Sequence, residues 1–532
     1  MPVRLLDRRS LVALALFIVL AVAHTWPLAS APGTLSRNDT ADTVLHEWTL
    51  AWIAHQLPRD PVHLFDTNIF HPEKNTLAYS DHLFVQGVMA APIIWAGGSP
   101  VLAYNLVLIA GFALTGWAAC FLVMTWTESW WAGVLSGSLM AFNAFTLTRL
   151  PQLQDQHLEF FPLALLALDR LLERPRVRTA LWLAGWYVLE ALTCGYVLVF
   201  AFLSLAVSAA ARPEQWAGHR FRAFLRPLAA TAVVCAVTLV PFLLPYMRVS
   251  REQGLTRSLE EVGLYSAHVS DYLSTGGRFH FELWSQRFFK ADALFPGIVG
   301  LGLALFSVAS GTALRDRRAR MALAFAVFTC CFSFGTAFPL YRVLYYGFPL
   351  MQGLRGAARF GQFFLIGVAI LAGFGLADIQ RRLKRGAMAV AITLVVAVNL
   401  EALRAPLVYR QFRGIPPIYD TLAEGRSLVA FFPFFNHSNF FGNARYMLYT
   451  TRSWQPMLNG YSGFAPPSFS RNADALAGFP DRAAIDYLRA QGVTHVVVDT
   501  NALSAPRLLM LPAVPELSLW KSDDTTDIYL LR

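Results

Sequence analysis

Two aspartates, Asp39 and Asp42, lie in Ser36-Arg-Asn-Asp-Thr-Ala-Asp-Thr, directly ahead of a helical pattern. A carboxylate at a helix N-terminus keeps a low pKa, so it is ionised and can take a proton from a hydroxyl. Either residue is therefore a candidate general base. The helix reads Val44-Leu-His-Glu-Trp-Thr-Leu-Ala-Trp-Ile-Ala-His-Gln. At about 100° per residue, Val44, Leu45, Trp48, Ala51 and Trp52 share one face, and Asp42, His46 and Thr49 another. That predicts an amphipathic helix lying on a membrane surface, with Trp at the interface and Asp42 at headgroup level. The plainer alternative makes Asp42 a simple N-cap, worth about 1 kcal/mol. Further along stand Phe65-Asp-Thr-Asn-Ile-Phe-His-Pro-Glu-Lys-Asn and Tyr79-Ser-Asp-His-Leu. Asp66, His71, Glu73, Asp81 and His82 are of metal-ligating types, but their spacing matches no specific metal signature. They read first as solvated loop residues, Asp81 also as a helix cap, and a divalent metal stays open as a cofactor.

The elements that hold these residues are set by hydropathy. Of 532 residues, 55% are hydrophobic and only 15% charged, against about 25% charged in a soluble domain. Mean hydropathy is +0.44. Lipid must solvate the long apolar runs. The net charge of +10 sits in short clusters between those runs, which is the positive-inside pattern and not a nucleic-acid surface. The clusters are Arg4/Arg8/Arg9, Arg174/Arg176/Arg178, Arg212/Arg220/Arg222/Arg226, Arg315/Arg317/Arg318/Arg320 and Arg381/Arg382/Lys384/Arg385. Placing all five in the cytoplasm predicts eleven crossings, at about 11–29, 101–124, 131–148, 158–173, 179–193, 195–211, 227–247, 292–313, 321–339, 361–379 and 387–403. The N-terminal run resembles a signal peptide and is read as an uncleaved first helix. The run Leu83 to Ala96 is too short to span and is read as interfacial or re-entrant. The five cysteines all lie in apolar segments and fit neither a zinc site nor a disulfide framework.

The expected fold is mainly α: a polytopic transmembrane bundle over 1–403 and a small C-terminal α/β domain over 404–532 outside the cytoplasm. Two long outer segments, 30–100 and 248–291, interrupt the bundle. In the tail, Ser427 to Phe434 reads as a buried strand, Asp481 to Ala490 as a helix ended by Gly492, and Val493 to Asp499 and Thr526 to Leu531 as strands. Helix followed directly by strand points to α/β topology.

The order of first helix, outer loop with an early Asp, surface helix and Pro-containing short helix resembles the GT-C superfamily of membrane glycosyltransferases. The likeness is nearest to bacterial proteins described as related to YfhO, or to the mannosyl and aminoarabinose transferases. Its residues are Asp42-(x)5-Trp48-(x)3-Trp52, Asp66-Thr-Asn-Ile-Phe-His-Pro, Leu354-Arg-Gly-Ala-Ala-Arg-Phe and Asn459-Gly-Tyr-Ser-Gly-Phe-Ala-Pro-Pro. His46 stands where relatives often have Asn. The resemblance implies a polyprenyl-phosphate sugar donor, a glycan, lipid or protein acceptor, and catalysis on the outer face of the bacterial inner membrane. Asp42, then Asp39, is the matching base. A phosphate leaving group calls for cationic stabilisation. Arg355 and Arg359 sit ahead of an outer helix end, where positive-inside does not explain them. Arg149, Asp155 and His157 lie in a short outer loop at the bundle mouth. With His46, Asp81 and His82 these make up the expected substrate-binding set. Two other readings are kept: a flippase or transporter, for which intramembrane acids such as Glu190 and Glu401 are scarce, and a scaffold with a decayed site.

Overall fold

The computed structural model describes residues 7–254, 256–289, 292–383 and 385–532. Arg4 and Lys384 of the basic clusters, and Ala291 at the end of the second outer segment, lie outside the described residues. The chain forms α1 (Arg8–His24), α2 (Ala41–Gln56), α3 (Phe84–Trp95), α4 (Pro100–Thr127), α5 (Trp130–Ala141), α6 (Ala144–Thr148), α7 (Phe160–Glu173), α8 (Val177–Ala191) and α9 (Gly195–Ala210). It continues with α10 (Phe221–Gln253), α11 (Ile298–Ala309), α12 (Arg317–Ser333), α13 (Phe360–Arg382) and α14 (Ala387–Ala402). Each of the eleven apolar segments is thus helical, and the fold is a mainly α bundle of the polytopic membrane type. Among the described residues, Pro100–Thr127, Gly218–Gln253 and Ala357–Arg382 are each long and apolar enough to cross a membrane. The expected helix over 131–148 is broken, because Asn143 accepts a hydrogen bond from the Thr146 amide at 3.0 Å and starts α6 anew. Pro296-Gly297 delays α11 to Ile298.

The chain divides into two compact units. The first comprises Met1–Ala31, Leu106–Phe242 and Thr256–Val408. Its centre is α13, buried almost continuously from Phe360 to Asp378. Small residues allow backbones to close on it: a Cβ on Gly375 would stand 2.3 Å from the Leu303 carbonyl oxygen of α11. Without a hydrophobic drive between lipid-solvated helices, such close approach is what holds them together. At one end of the bundle Asp169 of α7 is 1% exposed. It accepts hydrogen bonds from the buried Arg212 guanidinium, from Arg318 Nε at 2.8 Å and from Trp126 Nε1 at 3.0 Å. Arg212 of the basic clusters is therefore ion-paired inside the protein, and the partly exposed Arg318 shares its carboxylate.

The second unit comprises Pro32–Asn105, Leu243–Leu255 and Tyr409–Arg532. Strands β1 (Leu35–Ser36) and β2 (Arg410–Gln411) pair antiparallel. The tail adds β3 (Val429–Phe432), α15 (Ala444–Thr450), α16 (Pro467–Ala475), α17 (Arg482–Ala490), β4 (His495–Asp499), α18 (Ala505–Met510), β5 (Leu517–Ser522) and β6 (Thr526–Leu531). The sheet order is β3-β4-β6-β5, with β3 and β4 parallel and the other pairs antiparallel. Phe432, Phe479, Ile485, Leu488, Val496 and Val498 form its core with the helices. Asp481 caps α17 through the Ala484 amide at 2.8 Å, and Gly492, at φ +78°, ends it. Strand β5 was not foreseen; it is an edge strand whose pairing with β6 shifts register between Leu519 and Lys521, which breaks its alternation.

Candidate functional site

In the second unit the Ser36–Asp42 segment is fixed from several sides. Asn105 Nδ2 donates to the carbonyls of Pro32 at 2.7 Å and Leu35 at 2.6 Å. The N-cap of α2 is Thr40, whose hydroxyl accepts from the Thr43 amide. The simple-cap reading of Asp42 is therefore corrected: Asp42 lies within the first turn of α2. Asp42 Oδ1 accepts a hydrogen bond from the Tyr461 hydroxyl at 2.8 Å. Asp39 is exposed and pairs with Arg37 at 3.3 Å.

The amphipathic surface helix is also corrected. Every residue of α2 from Thr43 to Ala54 is buried, His46 included. It packs on α3 and on α15, and Val44 joins Ala444 and Leu448 in one apolar cluster edged by Phe412, Ile415 and Tyr461. A helix enclosed on all sides does not need a polar face. The indole N–H of Trp52 donates to the Leu64 carbonyl at 2.9 Å, a protein partner and not an interfacial one.

At the start of α3, His82 Nδ1 accepts from the Phe84 amide at 3.1 Å. Burial lowers the His82 pKa to about 4, so the ring is neutral and can accept. Asp81 is half-buried beside it. Asp66 accepts from the Asn75 amide at 2.8 Å and faces Lys74 at 3.8 Å. Among the described residues, no three His, Cys, Asp or Glu side chains gather as a metal site would require. Asn459 is fully buried and clamps β3, accepting from the Phe431 amide at 2.8 Å and donating to its carbonyl at 3.1 Å.

The first unit carries a second polar cluster. Arg149, at the end of α6, donates from Nε to Asp155 Oδ2 at 2.6 Å and from Nη1 to Asp292 Oδ1 at 2.9 Å. Arg359, at the start of α13, reaches Asp155 Oδ1 at 3.4 Å and stacks on the Tyr196 ring at 4.4 Å. Gln362 Nε2 donates to the Asp155 backbone carbonyl at 2.7 Å. The Asp155 side chain is 2% exposed and that of Asp292 is 30% exposed, so one carboxylate is structural in its burial and the other opens outward. Arg149, Asp155 and Arg359 are thus brought together. Arg355 is not with them; it pairs with Glu261 at 3.2 Å and lies over Tyr265. His157 turns away and is fully buried between Glu159 at 3.0 Å and the Val107 carbonyl at 3.1 Å. The two intramembrane acids weighed for transport close helix ends. Glu190 accepts from the Phe160 amide at 3.1 Å, and Glu401 from the amides of Ile298 at 3.1 Å and Val299 at 3.2 Å.

Three residues of these clusters were not singled out from sequence. Asp292, Tyr196 and Gln362 stand in unremarkable contexts and reach the arginines only through the fold. Glu47 carried a usable signal: a lone acid between His46 and Trp48 in an apolar helix. It is fully buried, and that burial raises its pKa to about 8.

No known protein family and no curated protein matches the chain. Solved structures do. An arabinofuranosyltransferase AftD from Mycobacteria aligns over all of this chain and 42% of its own, at 16% identity and a TM-score of 0.63. ArnT from Cupriavidus metallidurans, solved bound to undecaprenyl phosphate, aligns over 98% of this chain and 97% of its own, at 13% identity and 0.52. The oligosaccharyltransferase AglB from Archaeoglobus fulgidus, solved with an inhibitory peptide and a dolichol-phosphate, aligns over 93% and 70%, at 13% identity and 0.51. The chain spans about two fifths of the AftD chains it matches. At these identities the likeness establishes a fold shared with these three structures.

Proposed function

We propose that this protein is a membrane glycosyltransferase that moves a sugar from a polyprenyl-phosphate donor to an acceptor hydroxyl at the outer face of a bacterial inner membrane. The observation that carries it is Asp42: a carboxylate in the first turn of α2, half-buried and hydrogen-bonded to the Tyr461 hydroxyl, on a GT-C fold. Asp42 serves as general base, with Asp39 the second candidate. The base takes the acceptor proton, the acceptor oxygen bonds to the anomeric carbon, and the bond from that carbon to the phosphate oxygen breaks. The negative charge that gathers on the departing phosphate calls for a cation. Within the first unit, Arg149 and Arg359 are of the type that suits a phosphate group, and Asp292 is the more exposed of their carboxylate partners. One displacement without a covalent intermediate inverts the anomeric centre.

The test is transfer by the full chain in lipid nanodiscs, from a panel of polyprenyl-phosphate sugars, with the product configuration read by NMR. Transfer with inversion is expected. Retention would exclude the single displacement, and no transfer from any donor would favour a scaffold on the same fold. Tyr461 is expected to orient the base. Tyr461→Phe removes one hydrogen bond to a charged group, worth about 1.5–3 kcal/mol. Turnover should fall about 10-fold or more with little change in donor KM. An unaltered turnover would leave Tyr461 as packing only.

A further inference from the structure

Glu47 is 0% exposed, yet it lies only one turn and a half along α2 from Asp42. Its Oε1 accepts the Ser36 hydroxyl at 2.7 Å. Ser36 Oγ in turn accepts the Asn38 amide at 3.0 Å. Residues 36 and 38 are the two that lead into Asp39, Thr40 and Asp42. The backbone of the same segment is held on its other side by Asn105 and by the β1–β2 ladder, in which Ser36 is paired with Arg410. A buried acid in an apolar helix is costly unless hydrogen-bonded, and among the described residues Glu47 Oε2 has no hydrogen-bond partner. The group is thus kept at a cost to stability that packing alone does not explain, and its one strong contact is to the segment bearing the candidate bases.

We propose that Glu47 is a positioning residue for catalysis: through Ser36 and Asn38 it sets the path of the Ser36–Asp42 segment and so the place of the base. The inference rests on the transferase reading and extends it from the base to what aims it. The neutral acid is the form that fits this cavity, because ionisation would leave a charge with a single hydroxyl donor. Glutamine keeps the size and the acceptor oxygen, and alanine removes both. A misplacement of about 1 Å at a catalytic group can cost about 10²-fold.

The experiment compares wild type, Glu47→Gln and Glu47→Ala as full-length protein in nanodiscs, with two readouts. The first is hydrogen exchange of the amides from Ser36 to Asp42. Protection is expected to be retained in Glu47→Gln and lost in Glu47→Ala, whatever reaction the protein catalyses. Equal protection in all three would overturn the inference. The second is transfer. Glu47→Ala is expected to lower kcat by about 10²-fold with donor KM little changed, and Glu47→Gln to restore it to within about 3-fold. A loss in both variants alike, or a loss confined to KM, would also overturn it. If wild type transfers no sugar, the transferase reading fails by itself, and the exchange data still decide whether Glu47 holds the segment. The pH dependence of stability adds a check on the ionisation state. The pKa of Glu47 is raised from 4.5 to about 8 in the fold, so the folded state holds the proton more tightly than the unfolded one. Its contribution to stability is therefore present at low pH, declines from about 4.5 upward, and is lost by about 8. Glu47→Gln should remove that part of the decline. An identical pH profile would show that Glu47 is not the neutral acid.

Discussion

Asp42→Asn is expected to reduce sugar transfer by about 10²–10⁴-fold, the range lost when a positioned general base is removed. Asparagine keeps the acceptor oxygen that meets the Tyr461 hydroxyl at 2.8 Å in the native protein, so the geometry is preserved while the basic charge is lost. The folding effect should be small. Loss of a negative charge near a helix N-terminus costs about 0.3–1 kcal/mol, and Thr40 remains as the cap. The matched control is Asp39→Asn. Asp39 is exposed and paired with Arg37, and its removal is expected to change kcat by less than about 3-fold, far below the loss of a general base. Membranes carrying each variant, normalised by the amount of folded protein, measure both. Full transfer by Asp42→Asn would remove Asp42 as base. Loss with Asp39→Asn alone would exchange the two roles.

The second large effect is on stability. Asp169→Ala is expected to destabilise the protein by about 3–5 kcal/mol, the usual cost of removing one partner from a buried ion pair. Arg212 is 1% exposed and loses its carboxylate; Arg318 and the Trp126 N–H lose an acceptor at the same time. The converse comparison separates this cost from the worth of the pair. Replacing Asp169 and Arg212 together by leucine should recover most of the loss, since a well-packed apolar pair is often neutral against a buried ion pair. Thermal unfolding in detergent reads both. A double variant no better than Asp169→Ala would mean that the carboxylate acts through Arg318 and Trp126 and not through Arg212. Glycosyl transfer per folded molecule should be unaffected, because neither residue belongs to the clusters assigned to catalysis.

Much of the architecture is local and was therefore readable. Apolar runs mark the bundle helices, and the β-branched run after Gly492 marks β4. The Asp481 cap and the Gly492 stop act within a few residues and were legible for the same reason. The edge strand β5 was not, because its bulge removes the alternation that would announce it. The surface-helix reading of α2 failed for a different reason. Its apolar periodicity is present, with Val44 packed on Ala444 and Leu448 of the tail, but His46 and Glu47 are buried as well, which the periodicity does not announce.

The candidate site divides along the same line. The residue types and the close pair Arg149 and Asp155, six positions apart, come from the sequence. So does an acid, Asp42, at the start of a helix. What Asp42 touches does not: Tyr461 is 419 positions away. Arg359 meets Asp155 across 204 positions, while Arg355, four residues earlier, is drawn to Glu261 instead. Nothing local distinguishes those two arginines; the direction each takes from the start of α13 does. Hydropathy and caps are summed over neighbours in the chain, so sequence alone determined which segments are helices and which acids stand at their ends. Burial and partnership depend on what packs against those segments from far along the chain. Only the tertiary structure made Glu47 a buried neutral acid, turned His157 inward, and set Arg149 and Arg359 on one carboxylate.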